Sequence, residues 1–222
     1  MITATEEDYI KAIYSISSDT KQTLVGTNQI AGKLKTSAAS VTDMLKKLKD
    51  KKLIEYTKYK GVKLSATGSN HAINLLRKHR LWESFLVLKL GMGWDEVHNL
   101  AEQLEHIQSD ILIDKLDIYL GHPKFDPHGE PIPDQQGIFT SRNQDLLSSF
   151  KVAECGILIG VKKDDIKFLT HLNQFQIKLG TEFEVLQKYE YDQSTKVLIN
   201  QAKKITLSAE ITENLFLKKQ TQ

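Results

Sequence analysis

The side chains of this sequence that could do chemistry cluster in its middle third. Glu102, Glu105 and His106 follow an i, i+3, i+4 spacing, and His98 lies four residues before Glu102. On a helix, that spacing sets two carboxylates and an imidazole on one face. His79 and Glu83 make another i, i+4 pair upstream, and a Gly- and Pro-rich stretch further on adds Asp126 and His128. One such pair alone is usually a solvated helix surface. The whole constellation reads differently, because gathered carboxylates repel one another unless a cation lies among them. Two such groups on helices that can pack together would suit one or two divalent cations. Carboxylate and imidazole without thiolate favour Mn(II) or Fe(II) and disfavour a soft-metal site. Zinc accepts the same donors, so geometry must discriminate against it. Cys155 reads as a small buried apolar residue rather than a ligand.

These residues need elements to hold them. Thr3-Ala4-Thr5-Glu6 reads as a capping box, and Tyr9, Ile10, Ile13 and Ile16 continue at helical spacing. A second helix after Thr27 and a third after Thr36 or Ser37 are separated by only a few residues, as in a helix-turn-helix. Leu53–Tyr56 and Val62–Leu64 read as short strands around Lys60-Gly61. A fourth helix follows Thr67-Gly68 to about Leu88. One long helix is expected from about Asp95 to Leu120. Residues 121–137 form a loop. After Phe139 the short apolar runs at 152–157, 182–185, 196–199 and 204–207 read as strands of a small β domain, with one helix near Asp165–Leu172.

Composition narrows the class. The chain has 222 residues, 40% hydrophobic and 26% charged, which is ordinary for a globular protein with one large or a few small domains. It lacks an 18-residue apolar run and a basic-then-apolar leader, so neither a spanning helix nor secretion is expected. A single cysteine excludes a disulfide scaffold and favours a cytoplasmic address. The net charge of +2 hides an asymmetry: residues 33–63 hold 10 lysines against 3 acids, and residues 81–150 hold 12 acids against 4 basic groups. A basic block suits a polyanion, and an acidic one suits cations.

The basic block has the order of a winged helix-turn-helix. Its third helix would enter the major groove of DNA. Ser37, Ala38, Ala39, Ser40 and Thr42 offer hydroxyls and small apolar groups at the groove, while Lys46 and Lys47 extend the positive face. Lys58, Lys60 and Lys63 of the wing would flank phosphate. Residues 1–72 contain no arginine, so readout there would rest on hydroxyl, apolar and shape contacts.

Taken together, Glu7-Asp8-Tyr9-Ile10, Lys78-His79-Arg80-Leu81-Trp82-Glu83, His98, Glu102-Gln103-Leu104-Glu105-His106 and the stretch from His122-Pro123 to Pro131-Ile132-Pro133 resemble the diphtheria toxin repressor family of metal-dependent transcriptional regulators. Within that family they resemble most the manganese transport regulator branch. The resemblance covers essentially the whole chain. It implies a mainly α fold with a small β domain. A winged helix-turn-helix would occupy 1–72, a helical metal-binding and dimerisation domain 73–142, and a barrel of Src-homology-3 type 143–222. It also implies a primary metal site of Asp8, Glu102, Glu105 and His106. Asp8 and Glu102 stand where the iron-responsive branch has Met and Cys, which agrees with the preference for hard donors. A second site would use His79, Glu83 and His98, or the loop pair Asp126 and His128 with a carboxylate from Asp164 or Asp165.

The function so implied is that of a Mn(II)-activated repressor of metal-uptake genes, binding palindromic double-stranded operator DNA as a homodimer. An Fe(II)-responsive repressor is the alternative within the family. A metal-dependent hydrolase is the rival from another class, but no His-Glu-x-x-His, phosphate loop or nucleophile elbow supports it, so no catalytic residues are expected.

Overall fold

Thr3 starts the first helix as its sequence predicts. In this computed structural model, which describes residues 2–57, 60–141, 144–163 and 165–220, the Glu6 N–H donates to the Thr3 hydroxyl at 3.3 Å and the Thr3 N–H donates to the Glu6 carboxylate at 2.8 Å. A cap of this kind stabilises a helix by about 1 kcal/mol. It opens α1 (Ala4–Thr20), followed by α2 (Thr27–Leu34), α3 (Ala38–Asp50), β1 (Ile54–Thr57) and β2 (Gly61–Leu64). Ile10 and Ile13 of α1, Ile30 of α2, and Val41, Leu45 and Leu48 of α3 share one buried cluster with Leu53, Ile54 and Val62. The hairpin is antiparallel, with Ile54 opposite Leu64. Gly61 is required where it stands: its φ is +124°, and a Cβ there would lie 2.5 Å from the Val25 carbonyl oxygen. Val25 comes that close because it exchanges backbone hydrogen bonds of 2.8 and 2.9 Å with Val62.

α4 (Ala66–Leu90) follows, then α5 (His98–Leu104) and α6 (Asp110–Tyr119). The single helix expected from about Asp95 to Leu120 is therefore two. α5 stops at Leu104, whose carbonyl accepts from the Ile107 N–H at 3.1 Å, and the Gln108 amide is drawn to Glu7 at 2.8 Å. Asp110 then opens α6, where an acid in the first turn is favourable. Apolar periodicity misses this break because apolar residues recur at helical spacing on both sides of it.

The remaining elements are β3 (Asp145–Leu146), a 3-10 turn (Leu147–Ser149), β4 (Cys155–Val161), α7 (Ile166–Gln174), β5 (Glu182–Lys188), β6 (Thr195–Ile199), β7 (Lys203–Leu207), α8 (Ala209–Thr212) and β8 (Leu215–Lys219). The strands make one antiparallel sheet in the order β3-β8-β4-β5-β6-β7. Phe150, Leu158, Leu169, Leu172, Phe183 and Leu217 fill its core together with Trp94. Cys155 is only half-buried, not buried as its type suggested.

The chain folds as two compact units. One comprises Met1–His79, Glu102–Asp110 and Pro133–Ile138; the other comprises Arg80–Ala101, Ile111–Ile132 and Phe139–Gln222. Among the described residues, no helix is long and apolar enough to cross a membrane.

Candidate metal centres and nucleic-acid face

The first unit brings together donors from α1 and from the turn that ends α5. Asp8, Glu105 and His106 each offer a ligand atom within 4.8 Å of the others. The helical spacing read from the sequence is only half of the reason. Glu102 lies in the last turn of α5, but Glu105 and His106 fall just beyond it, where the turning chain aims them at α1. Glu102 itself is exposed and stands outside the three-atom set, although its charge is felt at Asp8. Partial burial raises the Asp8 carboxyl above its ordinary pKa; Glu105 and Glu102 push the same way, while His106 and Lys11 oppose them.

The His106 ring is held by two acids. Its Nδ1 is 2.7 Å from Glu7, and its Nε2 is 3.1 Å from Asp8. Glu7 also accepts from the Gln108 amide at 2.8 Å. A carboxylate that accepts a hydrogen bond from Nδ1–H holds the proton on that nitrogen and leaves Nε2 with a lone pair aimed at the Asp8 side, as a metal-ligating imidazole needs. Sequence reasoning missed Glu7; its position beside Asp8 in the first turn of α1 was the available signal. Lys11 was missed too. Its ammonium donates to both Glu105 oxygens, at 2.9 and 2.7 Å, and lies 3.3 Å from His79 Nδ1. His79, expected in the second site, has its Nδ1 2.5 Å from Glu105.

The second unit holds a different cluster. Glu83 of α4 and Asp126 and His128 of the loop are all buried, again with ligand atoms within 4.8 Å. His128 Nε2 lies 2.7 Å from the Trp94 carbonyl, which can only accept, so Nε2 carries a proton and Nδ1 faces Glu83 at 3.5 Å and Asp126 at 3.9 Å. Burial and the charge of Glu83 push the Asp126 carboxyl well above the usual carboxylate range. Burial alone would pull the His128 imidazole down, but hydrogen bonding and charge from Glu83, with Asp126 adding, push it up to about 9. Asp126 is fixed by accepting from the N–H groups of His128 and Glu130 at 2.8 and 3.0 Å. His98 Nδ1 is 3.3 Å from the other Glu83 oxygen. Asp165 caps α7 by accepting from the Phe168 N–H at 3.1 Å, and Asp164 lies outside the described residues.

Both clusters fit a hard divalent cation by their donors: carboxylate oxygen and an imidazole nitrogen oriented by a partner behind it. The model for the N-terminal DNA-binding domain of iron-dependent repressors matches residues 1–62, and the model for their metal-binding and dimerisation domain matches residues 65–134. A solved manganese-dependent transcriptional repressor in complex with manganese is 30% identical, superposes with a TM-score of 0.80, and is matched over 97% of this chain and 100% of that one. This chain belongs to the diphtheria toxin repressor family. ScaR with bound Zn2+ is 31% identical, with a TM-score of 0.71 over 96% of this chain and 99% of that one. The diphtheria toxin repressor of Corynebacterium jeikeium is 28% identical over 187 residues, 82% of this chain and 75% of its own length. The iron-dependent repressor IdeR of Mycobacterium leprae is 32% identical over 129 residues, so the match spans 55% of that relative's length. Membership in a family of repressors sets aside the hydrolase reading of the same acids and histidines.

In a repressor of this family the winged helix is the part that faces DNA. Ser37, Ala38, Ala39, Ser40, Thr42, Lys46 and Lys47 are all exposed on α3 or its cap. Some of their capacity is used locally. Ser37 accepts from the Ser40 N–H at 3.1 Å, Thr42 donates to the Ala38 carbonyl at 2.9 Å, and Lys46 pairs with Asp43 at 3.0 Å. On the wing Lys60 is exposed, Lys63 pairs with Glu55 at 2.8 Å, and Lys58 lies outside the described residues.

Proposed function

We propose that this protein is a Mn(II)-activated transcriptional repressor of metal-uptake genes that binds palindromic operator DNA as a homodimer in the cytoplasm. The observation that carries the reading is the meeting of Asp8, from the first helix of the DNA-binding module, with Glu105 and His106, from the segment matched to the metal-binding and dimerisation model. The division proposed is 1–72 for DNA, 73–142 for metal and dimerisation, and 143–222 for the small β domain. The family-model edges at 62, 65 and 134 support it.

Asp8, Glu102, Glu105 and His106 would hold one cation. Glu83, Asp126 and His128 would hold another, with His79, His98, Asp164 and Asp165 as the further candidates around Glu83 and the loop. A bound Mn(II) supplies positive charge and coordination to these oxygens and nitrogens. The protein's own residues do the rest. Lacking that charge, Asp8, Glu102 and Glu105 repel one another. Balanced, they draw α1 onto the 102–106 turn, and α1 shares its buried cluster with α3, so fixing one fixes the other. In a dimer, two α3 helices held at one spacing match successive major grooves. A coupling of roughly 1–3 kcal/mol between metal and DNA is typical of such linkage.

The identity to IdeR favours an Fe(II)-responsive repressor as the second reading; the all-oxygen carboxylates at 8 and 102 favour Mn(II). A mobility-shift titration on the protein's own upstream region, without oxygen and at matched free Mn(II) and Fe(II), distinguishes them. The shift is expected at lower free Mn(II). Equal operator affinity with Mn(II) and with chelator would refute metal gating altogether.

A further inference from the structure

Lys11 has no part in the function as proposed so far, yet its side chain reaches the middle of the first cluster. It lies on α1 four residues after Glu7 and three after Asp8, a spacing that ordinarily marks a surface ion pair along one helix. Its ammonium instead grips both carboxylate oxygens of Glu105, at 2.9 and 2.7 Å, and approaches His79 Nδ1 at 3.3 Å. Glu105 is 1% exposed and Lys11 21%. A carboxylate so deeply buried needs a partner charge, and losing that partner is costly. Lys11 supplies that charge on both oxygens, with the His79 ring a second neighbour at 2.5 Å.

We propose that Lys11 is a built-in counter-ion that competes with the divalent cation for Glu105 and so sets the metal concentration at which the Asp8–Glu105–His106 cluster fills. With both Glu105 oxygens occupied by one ammonium, a cation can take either only by displacing a charge-assisted hydrogen bond. The competition works in both directions. It weakens metal binding, and it keeps Glu105 charged, buried and correctly placed when metal is scarce. A cluster without Lys11 would bind metal more tightly but would depend on it for stability.

This inference rests on the assignment of Asp8, Glu105 and His106 as ligands, and the experiment separates the two. Mn(II) binding to the full-length protein is measured by the loss of the free-ion paramagnetic resonance signal, for wild type, Lys11→Met, Lys11→Gln, Lys11→Arg and Asp8→Asn, and for Lys11→Met combined with Asp8→Asn. Melting temperature is recorded with Mn(II) and with chelator. Lys11→Met and Lys11→Gln are expected to tighten binding on the order of tenfold, the factor that corresponds to one ordinary charged hydrogen bond. Their melting point in chelator falls, and its rise on adding Mn(II) exceeds that of wild type. Lys11→Arg, which keeps the charge, stays near wild type, and Asp8→Asn abolishes the gain. A variant that folds only when Mn(II) is present also supports the competition. Unchanged or weaker Mn(II) binding in both neutral variants overturns it, even where Asp8→Asn still removes a binding site. Asp8→Asn leaving Mn(II) binding untouched overturns the ligand assignment itself.

Discussion

The two clusters use the same donors in opposite surroundings. In the first, Asp8 keeps 47% of its side chain exposed, and the candidate ligands come from residues almost a hundred positions apart. In the second, Glu83, Asp126 and His128 are exposed by no more than 4%. The imidazoles are anchored differently as well. Glu7, a side chain, holds His106, whereas the backbone carbonyl of Trp94 holds His128. Glu7 can change rotamer, whereas the Trp94 carbonyl is backbone of a buried residue. The difference teaches that similar donors can be set in a solvent-reachable cluster and in a sealed one, so the first is the one placed to respond to a cation in solution if it binds one.

Substitutions should therefore separate into stability effects at the buried cluster and metal-response effects at the open one. The largest stability loss is expected for His128→Ala, which leaves Glu83 and Asp126 facing each other: about 3 kcal/mol in a denaturant titration in chelator, the scale for breaking a buried charge pair. A loss below about 1 kcal/mol would mean the cluster is wetter than its burial implies. Asp8→Ala should cost less than about 1 kcal/mol, as partly exposed charges do, yet abolish Mn(II)-dependent operator binding while the chain still folds and dimerises. Retained metal dependence in a mobility shift would break the comparison at its main point. Glu7→Gln, removing the charge behind His106, should weaken Mn(II) binding about tenfold, the lower end for a partner behind a ligand. Calorimetry checks this, and an unchanged affinity would leave Glu7 with a purely structural part. The smallest effect belongs to Lys60→Ala on the wing. It should weaken operator binding at all metal levels and lower the salt slope by about one; an unaltered slope removes Lys60 from phosphate.

Much of this arrangement was legible in the residues. The capping box at Thr3, the inward positions of α1 to α3 and the Gly61 turn follow from local rules that tertiary packing did not override. The short apolar runs at 182–185, 196–199 and 204–207 announced β5, β6 and β7. β8, which carries the same kind of apolar run at Leu215-Phe216-Leu217, is missing from the strands expected from sequence, although it pairs with both β3 and β4. The gathering of carboxylates and imidazoles was foreshadowed in part: Asp8, Glu105 and His106 come together, while Glu102 stays outside their set. What could not be read was their support. The carbonyl that orients His128 carries no sequence signature, because every residue has one. Lys11 was hidden for another reason: its helical spacing to Glu7 offered a sufficient local partner, and only the fold reveals the distant one. The break between α5 and α6 was concealed by apolar spacing that runs through it, and it is this break that turns Glu105 and His106 toward α1.

Trp94 links the buried cluster to the small β domain. Its ring lies in that domain's apolar core, its indole N–H donates to Asn173 at 2.8 Å, and the N–H of Val161, at the end of β4, donates to the His128 carbonyl at 2.9 Å. The buried cluster and the sheet thus share a wall. Shortening the chain before β3 would do more than delete an appendage: it would open that side to water, so the last third of the polypeptide helps seal a buried cluster whose candidate ligands lie wholly upstream of it.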